Sequence, residues 1–423
     1  MLPILQLATL SQAKKKEILQ RKLASTPEIK TTVAKILTEI EQKGLAAVLQ
    51  FTHKFETTKV RKLEIPAVEF PQVDLSKFQF LTKTAKNLAK FARVQLRNLR
   101  REPKVRPQAG LKIWREFRPL QKVGIYAPGG LASYPSSILM QAIPARIAGV
   151  KEIVLATPPQ KDGTIPAVIW AAAQIAGVTK VWTCGGAQAI GALAYLEQVD
   201  KITGPGNPWV TTAKTLISQQ IAIDFVAGPS EILILADEKS QPKFLAADLI
   251  AQAEHAPDSP TVLITTSAKL AQKVQQELQE QLEGLPRAAI ARASLKNLGV
   301  ILLAENLTQM VNFANEYAPE HLEIMLANPA EILPKIQNAG SIFLGEFTPT
   351  AVGDFISGTN HVLPTMGFAR SQEALSVETF GKKIQVQLLS KNGLKKVQGV
   401  CKKFAEIEGL VGHGRSVGIR LAK

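Results

Sequence analysis

The sequence predicts an α/β fold: two successive units with mostly parallel sheets, a helical N-terminal region and a C-terminal arm. Three observations carry this. From Lys122 onward, short apolar runs alternate with helical stretches at βαβ spacing. That rhythm restarts after Gly228-Pro229. Neither flank shares it: in the first hundred residues apolar positions fall three and four apart with little glycine, and the alternation stops near Arg370.

In chain order, helices are expected at Lys14–Leu23, Pro27–Lys43 and Leu75–Leu99. The first α/β unit is expected to run as strand Val123–Tyr126, a Pro/Gly loop and helix Ser137–Ala148. Strand Glu152–Ala156 and helix Ile165–Ala176 follow, then strand Lys180–Thr183 and helix Ala187–Leu196. Strand Lys201–Thr203 and helix Trp209–Gln219 close it. The second unit offers strands Glu231–Ala236, Thr261–Thr265, Val300–Leu303, Leu322–Leu326 and Ser341–Leu344, with helices that include Phe244–His255 and Ala268–Leu282. The boundary falls near Phe225–Ser230. After Arg370 the chain reads as an extended arm with a short helix.

Composition narrows the class. With 423 residues, 46% hydrophobic and 20% charged, the chain has material for a large core, which excludes a disordered, collagen-like or coiled-coil protein. Two cysteines, Cys184 and Cys401, exclude a disulfide framework and a thiolate zinc cluster, and fit a reducing compartment as small core residues. The longest uncharged run, Val123 to Ala145, is broken by Pro128, Gly129, Gly130, Pro135 and Pro144, so no membrane span is expected. The N-terminus has no basic region before its apolar stretch and does not read as a signal peptide. A cytoplasmic protein is expected. The net charge of +16 reads as a solvated basic surface; aromatics are only 6% and do not interleave with the charge, so no nucleic-acid partner is expected.

Four of the five histidines lie in the second half near carboxylates. Gln252 and His255, three apart at a helix end, share one face. With Asp354 and His413 they would make an N/O set suited to zinc with room for substrate; the alternative is helix-end polar residues in solvent. Glu320 and His321 stand just before a strand, and strand ends in α/β sheets are where reactive groups collect. A carboxylate and an imidazole there can divide two proton transfers; the alternative is a strand-edge surface pair. Asp354 and His361 share a Gly/Thr/Asn-rich loop, and Glu408 and His413 sit on the arm, which suggests docking onto a partner subunit. His53 reads as structural. The turns Gly185-Gly186-Ala-Gln188 and Gly204-Pro-Gly-Asn207 each follow a strand and precede a helix. They can present N–H groups to phosphates, as ordinary glycine turns also can. Gly-x-Gly-x-x-Gly, a Walker loop, a Gly-x-Ser-x-Gly elbow and His-Glu-x-x-His are absent.

Taken as a set, eight segments resemble the histidinol dehydrogenase family. They are VGIYAPGGLASYPSSILMQAIPARIAGV (123–150), GGAQAIGALAY (185–195), GPGN (204–207), AGPSE (227–231), AQAEH (251–255), APEHLE (318–323), GDFISGTNHVLPT (353–365) and EGLVGH (408–413). They occur in order and span nearly the whole chain, from about residue 25. The resemblance implies two incomplete Rossmann-like domains and a homodimer whose C-terminal arm completes the partner's site. It implies four-electron oxidation of L-histidinol through L-histidinal to L-histidine, with one zinc ion per subunit and two NAD molecules in succession. On it the chain divides into an extension (1–24), a discontinuous domain (25–121 with 230–370), an NAD-side domain (122–229) and the arm (371–423).

By motif match, Gln252, His255, Asp354 and His413 would bind zinc, His321 would take the hydroxyl proton, and Glu320 would activate water. Ser230, His361 and Glu408 would join the four metal ligands and His321 in contacting substrate. Tyr126, Gln188 and Asn207 would contact NAD. Two departures stand out. After Tyr195 the family's longer stretch is reduced to Leu-Glu-Gln before Val199, between Gln188 and Asn207, where it bears on the NAD pocket. Glu373-Ala-Leu-Ser376 replaces the family's Ser-Gly-Leu-Ser. They leave open an alternative: a paralogue oxidising another small amino or sulfonated alcohol with NAD.

Overall fold

The computed structural model describes residues 2–21, 26–129 and 133–422. The end of the expected helix 14–23 (Lys22 and Leu23) and the loop residue Gly130 lie outside them. The first of two six-stranded sheets has parallel strands Lys122–Tyr126, Glu152–Ala156, Lys180–Trp182, Lys201–Thr203 and Ala222–Ile223. Numbered along the chain, these five lie in the order 3-2-1-4-5, with Glu64–Pro66 added antiparallel beside the third. The second sheet repeats that order with Ile232–Ala236, Thr261–Thr265, Gly299–Leu303, His321–Met325 and Ser341–Leu344, and Ile4–Gln6 joins its third strand in parallel. Five strands of a six-stranded doubly wound sheet in each half make two incomplete Rossmann-like units.

The central strands read as unbroken apolar runs because helices cover both sheet faces. All five residues of ILILA (232–236) and of TVLIT (261–265) are buried. Helix Pro27–Lys43 shows how local sequence sets an element. The Thr26 hydroxyl accepts from the Ile29 N–H at 3.4 Å, Pro27 opens the first turn, and Gly44 at φ +59 ends it. Its buried face, Val33, Ile36, Leu37 and Ile40, stabilises by roughly 1.5–3 kcal/mol per side chain.

The segment 26–121, expected to share a domain with 230–370, makes its main helix and strand contacts with the first unit. Helix Pro27–Lys43 packs on helices Gly186–Gly191 and Pro208–Ile217, helix Gln79–Leu99 packs on Pro135–Ala148, and Glu64–Pro66 extends the first sheet. Their apolar faces find cover on the nearest unit along the chain. Helix Gln79–Leu99 still touches the second unit through Thr84 and Asn87, which donate to the Phe355 and Ile356 carbonyls.

The arm also differs from expectation. Gly381–Leu389 is a nine-residue strand paired along its length with Leu111–Pro119, and Val105–Gln108 completes a three-stranded antiparallel sheet. Helices Lys391–Ile407 and Val411–Ile419 follow. The period was present in the sequence, at Leu394, Val397, Val400, Phe404 and Ile407. Cys184 is buried and Cys401 half-buried, both unpaired. Among the described residues, no helix is long and apolar enough to cross a membrane.

Candidate active site

Ser230 and Glu231 immediately precede strand Ile232–Ala236, and His321 opens the adjacent strand, in register with Ile232. These are strands 1 and 4, where the chain order reverses. The reactive pair therefore sits at the switch point but at the amino ends, whereas open α/β sheets usually bind ligands at the carboxyl ends. Ala318, left-handed at φ +49, ends helix Leu307–Tyr317 and turns Pro319-Glu320-His321 into the strand.

The pair is held tightly. Glu320 Oε2 accepts from Ser230 Oγ at 2.7 Å and from the Glu231 N–H at 2.8 Å. His321 Nδ1 lies 3.0 Å from the Glu231 carbonyl and 3.4 Å from Glu320 Oε2. Donation from Nδ1 to that carbonyl leaves Nε2 as the basic nitrogen. Nε2 is buried, has no hydrogen-bond partner among the described residues, and lies 3.8 Å from Asp354 Oδ1. Burial pulls the His321 pKa down, but the Glu320 carboxylate, Asp354 and the Glu231 carbonyl outweigh it and raise it to about 9.

Asp354 lies on helix Thr350–Phe355, and its carbonyl is 3.1 Å from His361 Nδ1. The His361 pKa is lowered, by burial first. Gln252 is buried at the end of helix Pro242–Ala253 and donates to Ser230 Oγ at 2.8 Å. His255, two residues past that helix, is exposed; desolvation lowers its pKa while Asp354 and Glu320 oppose the shift. Ser230, Gln252, Glu320, His321, Asp354 and His361 thus form one connected cluster, and the charges of Asp354 and Glu320 reach His255.

Glu408 and His413 are not brought there. Both are exposed on the two C-terminal helices, which pack on each other beyond the arm strand. Among the described residues, no three His, Cys, Asp or Glu side chains are grouped to hold a metal ion. The donors from one chain still suit an N/O-binding cation in type. Gln252 spends its amide nitrogen on Ser230 and keeps its oxygen, and the buried Nε2 of His321, without a hydrogen-bond partner among the described residues, faces Asp354 at 3.8 Å. Helices Pro242–Ala253, Ala288–Leu298 and Leu307–Tyr317 all end at this edge, and their carbonyl ends favour positive charge by roughly 0.3–1 kcal/mol each.

The first sheet presents its opposite edge. Tyr126, Gln188 and Asn207, at the carboxyl ends of its strands, line a cleft of about 450 Å³ with Glu56, Gly186 and Trp209. Helices Pro135–Ala148, Gly186–Gly191 and Pro208–Ile217 start here, so their N–H ends favour anions. Asn207 Oδ1 caps the last of these, accepting from the Trp209 and Val210 N–H groups at 3.1 Å each. Gly204 is obligatory: at φ +119 its Cβ would lie 2.2 Å from the Tyr126 carbonyl oxygen. A buried Lys214–Asp224 ion pair holds that turn, with Lys214 Nζ donating to the Gly204 carbonyl at 2.8 Å and the Gly204 N–H to Asp224 at 2.7 Å. The two edges meet where Ser137 Oγ lies 3.5 Å from His361 Nε2.

The shortened segment after Tyr195 does not line this cleft. Its Glu197 is buried, accepts from Trp182 Nε1 and Lys180 Nζ at 2.8 Å each, and pairs with Lys122. In the second departure Glu373 is exposed, while the Leu375 N–H donates to the Val362 carbonyl at 3.0 Å, just beyond His361. His53 has the expected structural role: Nε2 lies 2.9 Å from the Val60 carbonyl.

Sequence reasoning missed Glu56, Glu231 and Arg21. Glu56 Oε1 accepts from the Gly185 N–H at 2.6 Å and from Gln188 Nε2 at 3.0 Å. Burial raises its pKa to about 7, against those two hydrogen bonds. Glu231 stands beside Ser230 in AGPSE and was the one with a signal. Its carboxylate is buried against Arg21, and burial raises it to about 7, with Arg21 opposing.

The histidinol dehydrogenase family model matches residues 19–421. A histidinol dehydrogenase of Methanosarcina mazei is 41% identical over 98% of this chain and 97% of its own length. That of Methanothermobacter thermautotrophicus is 43% identical over 96% of both. The crystal structure of histidinol dehydrogenase from Elizabethkingia anophelis superposes with a TM-score of 0.92 at 36% identity, covering 99% of this chain and 97% of that one. With sequence and fold matched over nearly its whole length, this chain belongs to the histidinol dehydrogenase family.

Proposed function

We propose that the protein oxidises L-histidinol through L-histidinal to L-histidine, a four-electron conversion that uses two NAD molecules and one zinc ion per subunit. The observation that supports this best is the pairing of opposite sheet edges. One collects helix carbonyl ends, carboxylates and imidazoles, and so suits a cationic amino alcohol. The other collects helix N–H ends and suits an anionic dinucleotide.

His321 Nε2 takes the hydroxyl proton as hydride leaves the carbinol carbon. Glu320, fixed by Ser230 and the Glu231 N–H, then takes a proton from water as it adds to the aldehyde carbon. Loss of a second hydride and of one hydroxyl proton from the hydrate gives the acid. Ser230 and His361 contact substrate from one chain. Tyr126, Gln188 and Asn207 contact the dinucleotide, which takes up the hydrides. Gln252, His255 and Asp354 would hold zinc, which supplies positive charge that orients the substrate's nitrogen groups. The carboxylates around His321 raise its pKa to about 9. Zinc held by Gln252, His255 and Asp354 would supply positive charge against that negative field.

The fourth zinc ligand, His413, and the substrate contact Glu408 come from the arm of a second subunit. Exposed Val400, Phe404, Ile407, Val411 and Ile419 give the arm an apolar surface to bury on a partner.

The test is NADH formation at 340 nm with L-histidinol, using zinc-loaded and chelator-stripped protein. Two NADH per histidine, only with zinc, is the expected result. His321→Asn should slow the first oxidation with metal retained, and Glu320→Gln should mainly slow aldehyde to acid. Unchanged acid formation in both would refute these roles. Mixed dimers of His413→Ala and His321→Asn should regain activity if sites are shared.

A further inference from the structure

We propose that Arg21 is a positioning residue for the Glu320–His321 pair and acts through Glu231; the proposal rests on the proton-transfer roles given above. Glu231 serves both members with its backbone, its N–H donating to Glu320 Oε2 and its carbonyl facing His321 Nδ1. Its side chain completes an interlock: Oε1 accepts from the Glu320 N–H at 3.2 Å, and Oε2 lies 2.6 Å from Arg21 Nε. The Glu231 side chain is fully buried and that of Arg21 is 4% exposed.

Arg21 also grips the approach to strand His321–Met325. Its guanidinium lies over the Tyr317 ring, 3.6 Å from the centroid, and Nη2 donates to the Tyr317 carbonyl at 2.9 Å. One planar cation therefore ties together the two segments that carry the reactive pair, 230–231 and 317–321. Planarity and several fixed donors suit arginine to this bridging task, and lysine supplies only the charge. The segment bearing Arg21 is itself anchored, by strand Ile4–Gln6 on the second sheet and by Lys15, 2.6 Å from Glu316. Without Arg21, the fully buried Glu231 carboxylate loses the guanidinium paired with it. It then takes up a proton or draws in water, and either change moves the backbone groups that hold Glu320 and His321.

The experiment uses the zinc-loaded full chain with Arg21→Met, Arg21→Lys and His321→Asn, and reads steady-state kinetics, melting temperature and amide exchange. Arg21→Met is expected to lower kcat at least tenfold while KM for histidinol stays within about threefold. Arg21→Lys is expected to recover part of the loss. Amide exchange should quicken in peptides covering 228–232 and 317–322 and stay unchanged in 261–265. An unchanged kcat in Arg21→Met overturns the proposal. So does a loss that tracks a fall in melting temperature with exchange quickened equally in all strands. Wild-type activity in His321→Asn overturns the proton-transfer reading, and the proposal with it. An inactive His321→Asn beside a fully active Arg21→Met overturns the positioning role alone.

Discussion

Glu56→Gln tests the electrostatics of the cleft proposed for the dinucleotide without touching Glu320 or His321. The substitution keeps the side chain's shape and an oxygen to accept from the Gly185 N–H and Gln188 Nε2. It removes a carboxylate whose second oxygen is buried without a hydrogen-bond partner among the described residues. Burial raises the Glu56 carboxyl from 4.5 to about 7. Because the folded value lies above the unfolded one, the native state binds the extra proton. The wild-type protein therefore loses stability as pH rises from about 4.5 to about 7, and the loss is complete above that. A shift of about 2.5 units corresponds to at most about 3.4 kcal/mol. Glutamine carries no such cost, so its advantage over wild type should be near zero at pH 4.5 and reach about 2–3 kcal/mol at pH 8.5. Melting curves of both proteins at those two pH values, in the same salt, measure the difference. An equal difference in melting temperature at both would show that the carboxyl titrates near its ordinary value, and the account of the cleft's charge would fail.

Ser230→Ala removes the hydroxyl that joins Glu320 to Gln252. Losing a hydrogen bond to a charged group, about 1.5–3 kcal/mol, predicts a roughly 10- to 150-fold slower conversion of histidinal to acid. Rates started from the aldehyde and from the alcohol separate this from an effect on the first oxidation. Glu197→Ala leaves the buried Trp182 N–H without its acceptor, a cost of about 1–3 kcal/mol. Lys122 and Lys180 are part-exposed and can turn to water. Melting temperature should therefore fall while kcat at 25 °C is unchanged; a large drop in kcat would tie the shortened segment to the cleft after all.

Much of the fold was readable because parallel strands buried on both faces must be apolar throughout. ILILA and TVLIT announce themselves. The cluster was readable in part because five histidines are few and four stand near carboxylates. What escaped was long-range or carried by the backbone. Pairing of 381–389 with 111–119 joins segments some 270 residues apart, and no local pattern specifies it. Glu231 stands in AGPSE beside Ser230, but it holds the pair largely through its N–H and carbonyl, which every residue possesses, so its part was not readable from residue type. Arg21 lies two residues past the short helix Gln12–Leu19, and its partners Glu231 and Tyr317 are brought to it from the second sheet, far along the chain. The arm's helices were misjudged because their exposed apolar stripe has no cover within one chain.

The two halves share a strand order yet turn opposite ends toward the common gap. Repetition of architecture here is not repetition of site: exchanging equivalent loops between halves would deliver the wrong polarity to each ligand. If the halves descend from one duplicated ancestor, at least one of them acquired its working end after the duplication. Internal symmetry in this chain is therefore a guide to its scaffold and a poor guide to where its chemistry lies.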